Sequence, residues 1–349
     1  MKPSPTTTDM PSGTIICGDS LEVLRGLSDE SVDCVITSPP YWGLRDYGVD
    51  GQLGLESHFN EYISKLIAIF DEVKRVLKKE GTCWVNLGDT YASGGGASRH
   101  KGYHDPKYPN GRSGSFDEPA TNPQKGAQEK SLCQIPSRFA IAMTDNGWIL
   151  RNIIIWNKLN PMPSSVLDRL TNKYEHVFFF VKNKKYYFDG DSIRVPFETK
   201  WEKRDNGPRR NREKGYDSKF NKLNTKQYNT AEGTKTRKQE EMANKLGIRR
   251  NPEQVYDRNP LGKNRGDVWS TTSQPYPEAH FAMFPEALIE PMILAGCPKD
   301  GLVLDPFFGA GTTGVVAKKL GRHYLGIELN EEYIKIAEKR IAGTQNPLL

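Results

Sequence analysis

The sequence has few cysteines and no closely spaced pair of them. The five present (Cys17, Cys34, Cys83, Cys133 and Cys297) are odd in number, widely scattered and without a CxxC spacing. That pattern argues against a disulfide framework and a structural zinc site, and for a reducing compartment. No apolar run reaches the ~18 residues of a spanning helix. The opening "MKPSPTTTDMPSG" is polar and proline-rich, and lacks the apolar core of a signal peptide. The expectation is a soluble cytoplasmic protein with no membrane partner and no metal.

The 349 residues suffice for one large α/β domain, or about two average ones at roughly 150 residues each. The formal net charge of +6 is by itself a weak hint of an anionic partner. Its distribution says more. Residues 197–265 hold 19 Lys and Arg against 10 Asp and Glu, so the rest of the chain is slightly acidic. This stretch has almost no aliphatic clusters. It reads either as a solvated linker or, given its place between two ordered halves, as an anion-binding insertion.

Elsewhere the apolar pattern alternates between strand and helix. "TIICGD", "SLEVLRGL" and "VDCVIT" read as strand, helix and strand, implying a parallel pair. From Glu61 to Lys79 apolar residues recur at three and four, predicting a helix stopped by Gly81, with a strand at "TCWVNLGD". Residues 92–132 are rich in glycine, serine and proline and predict a mobile surface loop. "IPSRFAIAMTDNGWILRNIIIWNK" reads as helix then strand, and "HVFFFVK" with "KYYFD" as a strand pair. The block from Gly301 to Ile341 is strand, glycine turn, helix, strand, helix, so its sheet must be completed by strands of the N-terminal half. The alternation predicts an α/β fold with a doubly wound, mostly parallel sheet.

Two loops carry the chemistry. "TSPPYWG" (Thr37 to Gly43) follows an apolar run, and its consecutive prolines fix φ and remove two donors, so it is a rigid loop holding something in place. "GAGTTG" (309–314) matches GxGxxG, with Glu328 nineteen positions after the first glycine, which is the dinucleotide fingerprint. Taken alone it leaves a nucleotide-dependent oxidoreductase open. The preceding "DPFF" and the hydroxyls of Thr312 and Thr313 suit a compact carboxylate or amine plus a nucleoside better than a pyrophosphate.

Together, "TSPPYW" and "DPFFGAGTTG" resemble the motifs of the amino-methylating DNA methyltransferases, in the order of their permuted beta group, from about Thr14 to Ile341. The resemblance implies a permuted Rossmann-like methyltransferase fold acting on double-stranded DNA with S-adenosyl-L-methionine. Its parts would be a tail (1–13), a catalytic half (14–196) with the glycine-rich loop as a clamp, a target-recognition insertion (197–265), a cofactor half (266–341) and a tail (342–349). Asp305, Phe307, Gly309, Gly311, Thr312 and Thr313 would cradle the methionine end of the cofactor at a helix N-terminus. Glu328 would accept from the ribose hydroxyls, and Asp19 would lie near the adenine, unless it merely caps the helix that follows. His280 to Pro285 resembles a lining of the methionine pocket, with core packing as the other reading.

In the catalytic loop the resemblance makes Ser38 and the Pro39 carbonyl, held by Pro40, the acceptors for the two amino hydrogens of the target base. Tyr41 would stack on that base after it leaves the duplex. Trp42 extends the wall or packs in the core, and Trp156 and Lys158 touch base or phosphate or belong to the core. Serine at the first motif position favours the N4 amino group of cytosine over the N6 amino group of adenine, as a family correlation. Cys297-Pro298 reverses the Pro-Cys order of a carbon-5 cytosine methylase, which argues against a cysteine nucleophile. The group is often dimeric and paired with a restriction endonuclease, so a homodimer and such a partner are left open.

Overall fold

The computed structural model describes residues 13–44, 48–92, 127–161, 163–197, 259–273 and 284–345. The chain divides into two compact units, Met1–Ile193 with Arg265–Leu349, and Arg194–Asn264. In the second, Val195 and Lys263 exchange both backbone hydrogen bonds, at 3.1 and 2.9 Å; most of the basic stretch lies outside the described residues. So do residues 1–12 and 346–349 of the two tails, residues 93–126 of the glycine-rich loop and residues 280–283; Gly13 already belongs to the first strand and Ala342 still to the last helix.

In the first unit the described strands are β1 (Gly13–Cys17), β2 (Val32–Thr37), β3 (Leu77–Leu87), β4 (Ile149–Lys158), β5 (Tyr174–Val181), β6 (Val268–Thr271), β7 (Leu302–Asp305) and β8 (His323–Glu328). The helices are α1 (Ser20–Arg25), α2 (Phe59–Val76), α3 (Ile135–Asp145), α4 (Glu286–Gly296), α5 (Thr312–Lys319) and α6 (Glu331–Ala342). One sheet runs β1-β8-β7-β2-β3-β5-β4-β6. Only β5 is antiparallel to its neighbours. This is the doubly wound, mostly parallel α/β architecture expected.

Side chains alternate across the sheet, as the two-residue period of a strand requires. On one face Val35, Cys83, Val85, Phe178 and Phe180 pack with Tyr62, Leu66, Phe70 and Val73 of α2 and Phe139 of α3. On the other, Cys34, Ile36, Trp84, Val177 and Phe179 pack with Leu288, Met292 and Ile293 of α4 and Val316 of α5. Apolar runs such as "VDCVIT" therefore lack polar alternation because both faces are covered.

Three expectations need correction. First, β1 and β2 run in the same direction but do not pair: β8 and β7 lie between them, with Gly13 opposite Tyr324 and Cys34 opposite Val303. Second, α2 ends at Val76, because Leu77 is already extended and pairs with Val32 as the first residue of β3. Gly81 lies inside that strand, where a Cβ would stand 2.5 Å from the Leu77 side chain. Third, "KYYFD" forms no strand, since both edges of β5 are already taken by β3 and β4. It instead crosses the sheet margin with single bonds, Tyr187 N–H to the Glu80 carbonyl at 2.8 Å and Asp189 N–H to the Ala295 carbonyl at 2.9 Å.

Candidate active site

The chain leaves β7 toward β8 and leaves β2 toward β3, in opposite directions from two adjacent parallel strands. That divergence opens a crevice at their carboxyl ends, where open α/β sheets bind ligands. The two loops singled out in the sequence emerge here side by side. Asp305, the last residue of β7, ties them together: its Oδ1 accepts from Thr37 Oγ1 at 2.6 Å and from Phe307 N at 3.1 Å, and its Oδ2 accepts from Thr313 Oγ1 at 2.7 Å. The carboxyl is fully buried. Burial pushes its pKa up to about 6, against the opposing effect of those three donors.

The glycine turn needs its glycines for two different reasons. Gly309 has φ +51° and open space where a Cβ would stand, so ligand atoms can approach its backbone. Gly311 has φ +77°, and a Cβ there would lie 2.7 Å from that of Ala337 on α6. Glu328, at the end of β8, holds the turn by accepting from Gly309 N at 2.7 Å and steadies α6 by accepting from Asn330 N at 2.8 Å. Burial raises its pKa above the usual glutamate value.

The proline loop is held by side chains. The Tyr62 hydroxyl of α2 donates to the Pro40 carbonyl at 2.7 Å. Among the described residues no donor takes the Pro39 carbonyl. Ser38 Oγ donates a long bond of 3.5 Å to Asn86 Oδ1, which leaves its lone pairs outside that contact. Asn86 is oriented in turn by donating from Nδ2 to Glu175 Oε2 and to the His176 carbonyl, both at 3.1 Å. Tyr41 donates its hydroxyl to Glu175 Oε2 at 2.6 Å, and Gly88 leaves room for its ring, since a Cβ there would lie 2.4 Å away. Burial, and then the Glu175 carboxylate, hold the Tyr41 phenol well above the usual tyrosine range, so it stays protonated. Lys158 closes the chain of contacts as the ion-pair partner of Glu175 Oε1, its ammonium 4.8 Å from the Trp156 ring centre.

A cavity of about 550 Å³ opens between the loops. Ser38, Pro39, Pro40 and Tyr41 line one side; Asp19, Phe307, Gly309, Thr312 and Glu328 line the other. Asp305, Gly311 and Thr313 do not reach it and instead brace the turn behind it. Asp19 has both of its alternative roles: it caps α1 by accepting from Glu22 N at 3.0 Å, and it lines the cavity. Trp42 is core, buried and donating Nε1 to the Glu56 carbonyl at 3.0 Å. Trp156 also lies in the core, yet its edge lines the cavity beside Lys158. Phe284 lines the cavity and Pro285 precedes α4.

Asn86 and Glu175 escaped the sequence reading. Each does leave a trace, Asn86 as a lone polar residue near the end of the apolar run "CWVNL" and Glu175, with His176, at the start of "YEHVFFFV". Only the adjacency of β3 and β5 places them beside Ser38 and Tyr41.

The family model for N6/N4 methyltransferases, described as DNA methylase, matches residues 32–339. The Type II methyltransferase M.SmaI of Serratia marcescens is 41% identical over 334 residues, covering 96% of this chain and 92% of its own. Among solved structures, the PvuII DNA methyltransferase (cytosine-N4-specific) aligns with a TM-score of 0.57 at 19% identity, over 95% of this chain and 86% of its own. The Thermus thermophilus protein TTHA0409, complexed with S-adenosyl-L-methionine, aligns with a TM-score of 0.53 at 20% identity, over 95% and 93%. Those two likenesses bear on the fold, while the match over nearly the whole chain settles the family: this chain belongs to the N6/N4 DNA methylases.

Proposed function

We propose that this protein transfers a methyl group from S-adenosyl-L-methionine to the exocyclic N4 amino group of a cytosine flipped out of double-stranded DNA. The observation that carries the reading is that Ser38 and Pro39, the residues with the two acceptors, line the same cavity as the glycine turn. An exocyclic amine is a poor nucleophile because its lone pair is delocalised into the ring. Accepting both amino hydrogens draws the nitrogen toward sp³ and directs the lone pair outward. Asn86 Oδ1 accepts a long hydrogen bond from the Ser38 hydroxyl, and in this reading the Ser38 lone pairs accept from the amine. Tyr41, locked by Glu175 and backed by Gly88, gives the extruded base a fixed wall.

The residues opposite fit the cofactor. Open backbone at Gly309, the N-terminus of α5 at Thr312 and the carboxylates of Asp19 and Glu328 match a methionine carboxylate and a nucleoside. When bound there, S-adenosyl-L-methionine supplies a methyl group on a positively charged sulfur. Phe307 and Gly309 line its pocket, while Asp305, Gly311 and Thr313 keep the turn in shape from behind. The basic segment 197–265 is the target-recognition region in this reading, its Lys and Arg meeting phosphates and base edges. Cytosine is favoured over adenine by Ser38 and by the cytosine-N4 specificity named for the PvuII enzyme. The likeness to M.SmaI supports a place in a type II restriction-modification system beside a cognate endonuclease.

Nucleoside mass spectrometry of unmodified duplex DNA incubated with protein and S-adenosyl-L-methionine tests the proposal. N4-methylcytosine is expected. N6-methyladenine would overturn the base assignment and keep the chemistry of the loop. In a thermal shift, S-adenosyl-L-methionine should stabilise the protein and NADH should not; the reverse would return the turn to a dinucleotide.

A further inference from the structure

The connection between β4 and β5, residues 159–173, carries two leucines that the fold does not bury. Leu167 is 99% exposed and Leu170 89%, against 63% or less for every other large exposed hydrophobic among the described residues. Exposed leucines are common on loose tips, but this segment is tethered at several points. Lys158 N–H donates to the Lys173 carbonyl at 2.8 Å across its base. Asn160 and Ser273 exchange two hydrogen bonds, at 3.0 and 2.7 Å. Asp168, next to Leu167, pairs with Lys130 at 2.8 Å. Arg169 lies 3.8 Å from the centre of the Tyr91 ring, and the Tyr91 hydroxyl donates to Asn172 Oδ1 at 3.3 Å. Polar contacts fix the segment while its apolar side chains stand in solvent, an arrangement in which covering them with another surface is favourable.

The position of the segment indicates that surface. Asn160 and Pro161 at its start and Asn172 at its end line the active-site cavity together with Ser38 and Tyr41. The segment that carries the leucines therefore starts and ends at the cavity that would receive the target base. Arg169 and Lys173 flank them with positive charge, and the one carboxylate, Asp168, is paired with Lys130. Extruding a base from a duplex leaves a gap in the stack lined by apolar ring faces. Apolar side chains inserted between bases offset lost stacking in other DNA-bending proteins.

We propose that Leu167 and Leu170 form an apolar wedge that enters the DNA base stack and fills the gap left by the extruded target base. The inference rests on the base-flipping reading of the active site. It assigns the 159–173 segment to DNA opening, distinct from the methyl-transfer chemistry of Ser38 and from sequence reading by the basic segment.

The test uses a duplex built around a site that wild-type protein methylates, once fully paired and once with the target base mispaired. Wild-type methylation of the paired duplex checks the base-modifying reading by itself. Single-turnover rates are then compared for wild type and for the double variant Leu167→Ser/Leu170→Ser. A wedge predicts a loss of about tenfold or more on paired DNA, because the variant must open the stack unaided. On mispaired DNA, where opening costs little, the loss should shrink to about threefold or less. Leu167→Met/Leu170→Met, which stays apolar, should keep the paired-duplex rate. Equal loss on both duplexes would overturn the wedge and make the leucines a general contact. No loss on either would overturn it as well.

Discussion

The two walls of the cavity are built by opposite means. The glycine-turn wall owes its shape to the backbone: left-handed residues at Gly309 and Gly311, a helix start at Thr312, and carboxylates that receive main-chain amides. The proline-loop wall owes its shape to side chains: Ser38, Asn86, Tyr41, Glu175 and Lys158 hand hydrogen bonds from one to the next. A backbone cradle suits a ligand that is the same in every turnover. A side-chain relay suits a group that must meet developing charge, since its donors and acceptors are set in advance. Asp305 belongs to both walls, linking Thr37 on one to Thr313 on the other.

Separating the two walls should separate binding from rate. The largest effect is expected from Ser38→Ala, which removes one of the two proposed amine acceptors: the single-turnover methylation rate should fall by about 10²–10³-fold, with cofactor affinity nearly unchanged by calorimetry. An unchanged rate would remove Ser38 from the chemistry. Gly311→Ala attacks the other wall through the positive φ and the contact with Ala337. It should weaken S-adenosyl-L-methionine binding about tenfold and lower the melting temperature by about 3 °C or more. Wild-type affinity and melting would show that the turn has slack that the contact distance does not suggest.

Glu175→Gln sharpens the comparison from inside the relay. It keeps the shape but removes the charge that receives Tyr41 and Lys158. The expected result is a methylation rate about fivefold lower, with cofactor affinity at the wild-type value. A calorimetric loss of cofactor affinity would mean that the relay and the cradle are coupled more tightly than through Asp305 alone.

The sequence was most legible where structure is local. The alternation of apolar runs gave the α/β class, and the loops at 37–43 and 305–313 could be identified because prolines and glycines restrict or release φ within a few residues. What depended on distant neighbours was hidden. The insertion of β8 and β7 between β1 and β2 joins residues about three hundred positions apart, and no local signal carries it. The partnership of Asn86 and Glu175 with Ser38 and Tyr41 depends on strand order in the same way. At Val76, helical periodicity ran on into Leu77-Lys78-Lys79 because the pattern cannot report that Leu77 already has a strand partner. Asp305, Gly311 and Thr313 matched a binding motif, yet in the fold they brace the turn, which a motif alone does not separate from ligand contact.

The last expected effect is read in stability and not in rate, and it concerns Asp305, where the two walls meet. An Asn at this position can still accept from Thr37 and Phe307 through its oxygen and donate from its amide nitrogen to Thr313, whose hydroxyl can turn to accept. Geometry is then largely kept and only the ionisation is lost. In the folded protein burial holds the Asp305 pKa at about 6, whereas an unfolded aspartate titrates near 3.9. The folded state therefore keeps its proton over a window in which the unfolded chain has lost it. Below about pH 4 both states are protonated and no penalty arises. Between about pH 4 and 6 this residue's contribution to stability falls as pH rises, and above that it stays constant, at roughly 3 kcal/mol or less. Other carboxylates titrate in the same range, so the informative quantity is the difference between Asp305→Asn and wild type in urea unfolding at each pH. That difference should shift in favour of the variant from pH 4 to pH 6.5 and then level off. A flat difference would mean that the donors from Thr37, Thr313 and Phe307 compensate the carboxylate fully for its loss of water, leaving the link between the two walls without a cost in charge.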